Sequence, residues 1–400
     1  MTPSYNLATQ IKRIQSDRTI INPEKAIYDL IVSSLSTRNI YLEELIQALR
    51  EDHNLISSTV AMKLWENAIL ECEDFMKAGV TKDVMNHMQC RNFWTRYTHS
   101  ESLSKVSKSP CTEVYFWGLP SSGKDMVIAA TLSEANERYS LEKDHTCQGY
   151  GNMERLVSHF KNGCISTLPC DQYWESAEMG FDLCSTENKI PVKIPVTFFN
   201  LSPSLIPLMY KKEAGEHLSG PDIDRLKTLT DVMIDNRTQN CKLHFFVIEY
   251  GAEDRQDIGL PQQVYLQAAI QYIQRTGIFK KDTDGVYIII SKVDNANVHG
   301  RELKEKLKEY VLANYNAFYN SLRKICRDNE INGGEVGCIP FSLGETWFRD
   351  ICIYDNRASS RLLDLIVEHC HYRIYTSMFQ RIINKFRRTR YYIIKKLLQV

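Results

Sequence analysis

The segment that most limits how this chain can fold is Val114-Tyr115-Phe116-Trp117-Gly118-Leu119-Pro120-Ser121-Ser122-Gly123-Lys124-Asp125. Its apolar start predicts a buried strand, its Gly/Pro/Ser middle a tight loop, and Met126 to Leu132 the helix that follows. The spacing is G-x-x-x-x-G-K with Asp next, where phosphate-binding loops of this pattern carry Ser or Thr. Gly118 and Gly123 permit backbone angles and close approaches that a Cβ forbids. Between them, the N–H groups around Ser121 and Ser122 converge on an anion, and the helix N-terminus adds a favourable dipole. Lys124 stands where it would reach terminal phosphates. The alternative reading is an ordinary strand–helix turn.

With 400 residues the chain is long enough for two or three domains and a sizeable core. Lys+Arg and Asp+Glu balance at 49 each, which argues against a polyanionic partner such as nucleic acid for the chain as a whole. The first twenty residues hold no apolar signal core, so no secretory leader is expected. No uncharged apolar run approaches the ~20 residues of a membrane helix. The twelve cysteines form no C-x-x-C pair, and together these features predict reduced thiols and a cytoplasmic protein. Neither Cys164 with Cys170 nor His369-Cys370-His371 has the spacing of a zinc site.

Residues 1–105 read as a helical N-terminal region. Residues 1–20 are polar and expected to be loosely ordered. Pro23 opens a helix carrying Ala26, Ile27, Leu30, Ile31 and Leu35 at helical spacing. Tyr41 to Leu49, Ala61 to Cys72 and Val84 to Tyr97 give three further amphipathic stretches. This region holds no catalytic constellation and reads as a docking or packing module. Ser100 to Pro110 reads as a linker.

From 111 to 357 apolar strands alternate with helices. Residues 140–190 are punctuated by Gly149, Gly151, Gly163, Pro169 and Gly180, and are expected to form loops with short strands. Val192 to Asn200 is a strand, followed by Leu201-Ser202-Pro203-Ser204 and one long helical stretch to about Asn240. Leu243 to Tyr250 is a strand carrying Glu249 near its end, and Pro261 to Arg275 is a helix. Val286 to Ile290 is a strand running into Ser291-Lys292-Val293-Asp294. A helix from Arg301 to about Asp328 leads to the strand Val336 to Phe341 and then Ser342-Leu343-Gly344. Such alternation predicts an α/β fold of three layers, a mostly parallel sheet with helices on both faces. Ligands of such sheets bind beyond the carboxyl ends of the strands, where each of these motifs falls.

This succession resembles the P-loop GTPases of the translation-factor and Ras-like class over residues 111–357. Gly118 to Lys124 matches the phosphate loop, and Asn200 stands where the family has D-x-x-G. Ser291-Lys292-Val293-Asp294 matches [N/T]-K-x-D with Ser first, and Ser342-Leu343-Gly344 stands where S-A-[K/x] closes the base pocket. The G-L-P-S-S-G-K wording and the long insertion before the third motif resemble double-GTPase-type families of bacterial conflict and secretion loci. The resemblance implies GTP or GDP as ligand, with Mg²⁺. It implies that Asp294 accepts the guanine N1–H and N2–H₂ and that Lys292 lies along the base and the phosphate loop. A carboxylate suits that role because it accepts two neighbouring donors at once. A strand-end turn is the alternative for Ser291 to Asp294.

The departures cluster. The family's Ser/Thr that binds Mg²⁺ is Asp125 here, a carboxylate that can ligate the metal but adds negative charge beside the phosphates. Asn200 supplies no charge to a metal shell, Pro203 has no N–H, and Ser204 replaces the water-positioning Gln. Thr167 and Thr186 each fit the switch threonine, or an ordinary loop. The expectation is a degenerate GTPase-like nucleotide-binding protein acting as a switch or scaffold, with weak or absent hydrolysis. Two alternatives stand: a P-loop ATPase with Glu249 as a Walker-B-like acid, and a structural subunit that kept the fold without the nucleotide.

The closing segment 358–400 begins with a helix carrying Leu362, Leu363, Leu365 and Ile366. It ends in a basic helix with Arg381, Lys385, Arg387, Arg388, Arg390, Lys395 and Lys396, and no acid between Gln380 and Leu398. Packing or protein docking, an anionic membrane surface and nucleic acid are the three readings of that segment. Protein partners are expected on it or on the N-terminal helices.

Overall fold

The computed structural model describes residues 7–37, 103, 111–161, 176–185, 192–234, 240–255, 259–279, 283–296, 298, 300–347 and 351–374. The expected helices at Tyr41–Leu49, Ala61–Cys72 and Val84–Tyr97, the threonines 167 and 186, and the basic segment 380–400 lie outside them. The chain divides into two compact units. One comprises Met1–Tyr97, Ser158–Leu168 and Leu343–Asp355; the other comprises Thr98–Val157, Pro169–Ser342 and Asn356–Val400.

In the first unit, α1 (Leu7–Ser16) packs on α2 (Pro23–Thr37). Pro23 takes the first helical position, where its missing N–H costs nothing, and Asn22 Oδ1 caps the Lys25 N–H at 3.0 Å. Within the stretch expected to be loosely ordered, Leu7–Ser16 forms α1, because Leu7, Ile11 and Ile14 recur at helical spacing and Ile11 is buried.

In chain order the remaining elements are β1 (Thr112–Gly118), α3 (Lys124–Arg138), β2 (Ser140–Lys143), α4 (Tyr150–Lys161), β3 (Ala177–Ser185) and β4 (Val192–Asn200). Then come α5 (Leu205–Glu213), α6 (Gly220–Ile234), β5 (Cys241–Glu249), α7 (Gln262–Thr276) and β6 (Thr283–Ser291). The last are α8 (Gly300–Asn314), α9 (Asn316–Asp328), β7 (Gly337–Pro340), the hairpin β8 (Gly344–Trp347) with β9 (Ile351–Tyr354), and α10 (Arg357–Ile374).

Seven strands form one sheet in the order β2-β3-β4-β1-β5-β6-β7. From β4 to β7 neighbours run parallel, and only β3 runs antiparallel to both its neighbours. Buried runs such as β1 and β5 have no polar side because helices cover both faces. Tyr115, Trp117, Phe199, Phe246 and Ile288 share one apolar cluster with α5 to α9. Outside that cluster, α10 packs on α3 and β5, and α3 packs on β1. The mixed α/β architecture with a mostly parallel sheet thus agrees with the alternation of strands and helices in the sequence.

Three local differences have local causes. Where loops with short strands are expected over 140–190, the described residues form the short strand β2, a helix and a nine-residue strand. In α4, Met153, Leu156, Val157 and Phe160 are buried at helical spacing. The long stretch to Asn240 is two helices, broken where Gly215 takes φ +72°. The stretch from Arg301 is also two helices, parted at Tyr315 with φ −129°. No helix among the described residues is long and apolar enough to cross a membrane.

Candidate functional site

The chain passes from β4 to β5 across β1, so the carboxyl ends of these three strands open the crevice where an α/β sheet takes its ligand. The loop Gly118 to Asp125 lies there. Gly118 closes β1, and a Cβ on it would meet Ser122 Oγ at 2.6 Å and Lys124 Cβ at 3.3 Å. Ser121 and Gly123 both adopt the left-handed region, at φ 60° and 81°, and this turns the loop into the helix. Leu119 O accepts the Ser122 N–H at 3.2 Å; Gly123 O accepts Met126 N–H at 3.1 Å and Val127 N–H at 3.0 Å. The N–H groups of Ser121, Gly123, Lys124 and Asp125 donate to no acceptor among the described residues. Orphan donors at a helix start are the ordinary means of binding an anion. The hydroxyl of Ser122, 1% exposed, also lacks a partner.

Lys124 does not project into water. It is 4% exposed, and its Nζ donates to Asp125 Oδ1 at 3.2 Å and to Asn200 Oδ1. Asn200 Nδ2 donates in turn to Asp125 Oδ1 at 3.0 Å, closing a triangle. Burial alone would raise the Asp125 pKa. The Lys124 charge, the hydrogen bonds from Asn200 and Lys124, and the Arg155 charge outweigh it and hold the carboxyl below the usual range. Asp125 is therefore ionised in the folded protein. Pro203 follows Ser202, whose N–H donates to Ser176 Oγ at 2.9 Å.

A second cluster sits at the end of β5. Both oxygens of Glu249 are taken, one by Lys292 Nζ at 2.6 Å and the other by Arg255 Nη1. Both cations also reach loop carbonyls: Arg255 Nη2 to Pro120 O at 2.6 Å, and Lys292 Nζ to Ser121 O at 3.4 Å. Lys292 has φ 56°, an uncommon conformation for a residue with a Cβ. Tyr310 of α8 fixes the turn that carries Arg255: its hydroxyl accepts Gly251 N–H at 3.0 Å and donates to Glu253 at 2.7 Å.

The base-pocket candidates also meet. Ser342 Oγ donates to Asp294 Oδ1 at 3.0 Å, and Val293 N–H donates to Phe341 O at 3.4 Å. Asp294 lies in the one-turn 3₁₀ helix Val293–Ala296, directly after Lys292. Ser291 links the two halves of the site: its Oγ donates to Ser122 O at 2.7 Å and lies 3.2 Å from Ile248 O. The structure thus brings Gly118, Ser121, Ser122, Gly123, Lys124 and Asp125 into one loop. Lys292, Asp294 and Ser342 gather beside it. Sequence reasoning missed Arg255, Ser291 as the link, and the pairing of Asn200 with Asp125. No local signal marks these, since Arg255 and Pro120 are 135 residues apart.

The loop suits the phosphates of a nucleotide by virtue of its orphan N–H donors. Oδ1 of Asp125 is not open to Mg²⁺ in this arrangement. A dication at Oδ1 would stand against the Lys124 ammonium and the Asn200 amide that already occupy that oxygen. Among the described residues no group of three or more His, Cys, Asp or Glu converges to hold a metal.

No protein-family model and no curated protein matches the chain. Among solved structures, Methanosarcina barkeri Roco2 RocCORdC bound to GDP is similar at 10% identity and TM-score 0.27, over 70% of this chain and 53% of that one. The S. cerevisiae Ski7 GTPase-like domain, bound to GTP or to GDP and inorganic phosphate, is similar at 15% identity and TM-score 0.32. That match covers 67% of this chain and 52% of the other. The chain spans about half the length of the solved chains it matches. At these TM-scores the likeness adds no weight, and strand order and pairing show a mixed α/β fold with a mostly parallel sheet.

Proposed function

We propose that this chain is a degenerate GTPase-like protein that binds GTP or GDP through Gly118 to Asp125, with Lys292, Asp294 and Ser342 at the base, and hydrolyses poorly or not at all. It would serve as a switch or scaffold in a larger assembly in the cytoplasm, with protein partners on its N-terminal helices or basic C-terminal segment. The observation that carries this reading is the Lys124–Asp125–Asn200 triangle. It sets a phosphate-type loop beside an internal carboxylate at the very place where hydrolysis needs a metal. The Asp294 carboxylate, with Ser342 beside it, supports guanine over adenine as the base, because only guanine offers one carboxylate two neighbouring donors. An ATPase using Glu249 would need a carboxylate free for metal or water, and both its oxygens are engaged by cations.

The test is thermal unfolding with GTP, GDP and ATP in turn, together with GTP turnover. GTP or GDP should raise the midpoint more than ATP does, with turnover near background. Turnover at ordinary rates that disappears in Lys124→Ala would defeat the reading. A larger shift with ATP favours the Glu249 enzyme, and no shift with any nucleotide favours a structural subunit.

A further inference from the structure

Lys124 and Asp125 begin α3, and Asn200 ends β4, the strand beside β1. Lys124 is 4% exposed, so its charge is out of reach of bulk water. A buried ammonium is tolerable only with a counter-charge and satisfied donors. A neutral hydroxyl after the lysine would leave that counter-charge to the ligand. Here the chain provides it from the next residue, and Asn200 grips both partners, accepting from the lysine and donating to the carboxylate. The pair sums to zero charge. What then recommends the loop to an anion is its free backbone N–H groups and the start of α3.

We infer that Asp125 is a resident counter-anion that an incoming phosphate displaces from Lys124, in an exchange that involves no divalent cation. The favoured ligand is a metal-free nucleoside diphosphate. This rests on the reading of the loop as a nucleotide site and deepens it. The occupied oxygen of Asp125 sets the order of events. A metal cannot take it before Lys124 leaves, and Lys124, being buried, leaves only for another anion. Once the phosphate holds Lys124, the carboxylate stays beside it as a like charge. It weakens binding overall, and it weakens a triphosphate more than a diphosphate because the triphosphate carries more charge.

Isothermal titration of the full chain with GDP and with GTP, each in EDTA and in Mg²⁺, tests this. Wild-type affinity for GDP should differ by less than about tenfold between the two buffers, and GDP should bind more tightly than GTP in EDTA. Asp125→Asn keeps the side-chain size and removes the charge; its metal-free GDP affinity should rise by about tenfold or more. Asp125→Ser should gain a strengthening by Mg²⁺ that wild type lacks. Unfolding midpoints of the variants establish that they fold, and the wild-type comparison requires no variant. Binding by wild type that Mg²⁺ strengthens more than about tenfold, or an Asp125→Asn affinity no higher than wild type, overturns the inference while leaving the nucleotide reading intact. Absence of binding by GDP and GTP in wild type and in Asp125→Asn overturns both.

Discussion

His244 lies in the middle of β5, stacked on Tyr115 at 4.8 Å between ring centroids and against Phe279 at 4.7 Å. Trp117 Nε1–H donates to its Nδ1 at 3.1 Å, which places the imidazole proton on Nε2, an atom with no partner among the described residues. Burial, aided by the Lys242 charge, pushes its pKa down to about 3. An unfolded histidine titrates near 6.5. Between these values the unfolded chain binds the extra proton, so His244 favours the fold fully above about pH 6.5 and progressively less as pH falls toward 3. The slope for a single group is at most about 1.4 kcal/mol per pH unit. Denaturant titrations at pH 7, 6 and 5 should show this loss, and His244→Gln, which retains an acceptor for Trp117, should flatten the slope by about that amount. Equal slopes in the two proteins would show that another group titrates.

Among the elements, α4 separates what the sequence discloses from what it hides. The strands β1, β4, β5 and β6 are legible because each is an apolar run ended by polar or turn residues, and their motifs fall at their carboxyl ends as the topology requires. The helix α4 was hidden by Gly149 and Gly151, which read as loop punctuation. Gly149 has a packing reason instead: its N–H donates to Glu178 O at 2.9 Å, and an added Cβ would lie 2.2 Å from that oxygen and 2.6 Å from its carbon. The backbone of β3 would have to move. Gly149→Ala should therefore cost about 1–3 kcal/mol, in the range of overpacked sites. Gly180→Ala is the control. Its Cβ would approach nothing nearer than Asp144 Cβ at 3.4 Å, so urea midpoints should place it close to wild type. Of the candidate site, the loop and the segments holding Lys292, Asp294 and Ser342 are legible from spacing. The Lys124–Asp125–Asn200 triangle and the Arg255 clamp were not, because their partners lie 75 and 135 residues apart and meet only through the sheet.

At the scale of the sheet-bearing unit, the loop depends on what stands behind α3. The helix that begins at Lys124 is backed by α10, which buries Leu362, Leu363, Ile366 and Cys370. Polar ties add to these contacts: Ser360 Oγ donates to buried Glu134 of α3 at 2.5 Å, and Tyr287 Oη of β6 meets His369 Nε2 at 2.8 Å. The Arg138–Asp364 pair at 2.6 Å is half-exposed and contributes at most about 1 kcal/mol. The apolar contacts therefore decide whether α10 belongs to the sheet or merely follows it. Leu363→Ala should cost about 2–5 kcal/mol by leaving a cavity against α3 or β5. Arg138→Ala should cost no more than about 1 kcal/mol. Removing residues 357–400 exposes the partners of all four buried side chains together, and the shortened chain should lose its cooperative unfolding transition and bind a hydrophobic dye. A truncated chain that still unfolds cooperatively, with the midpoint of the full chain, would make α10 an appendage. The loop from Gly118 to Asp125 would then be held in place by β1 and by its contacts with Asn200 and Ser291.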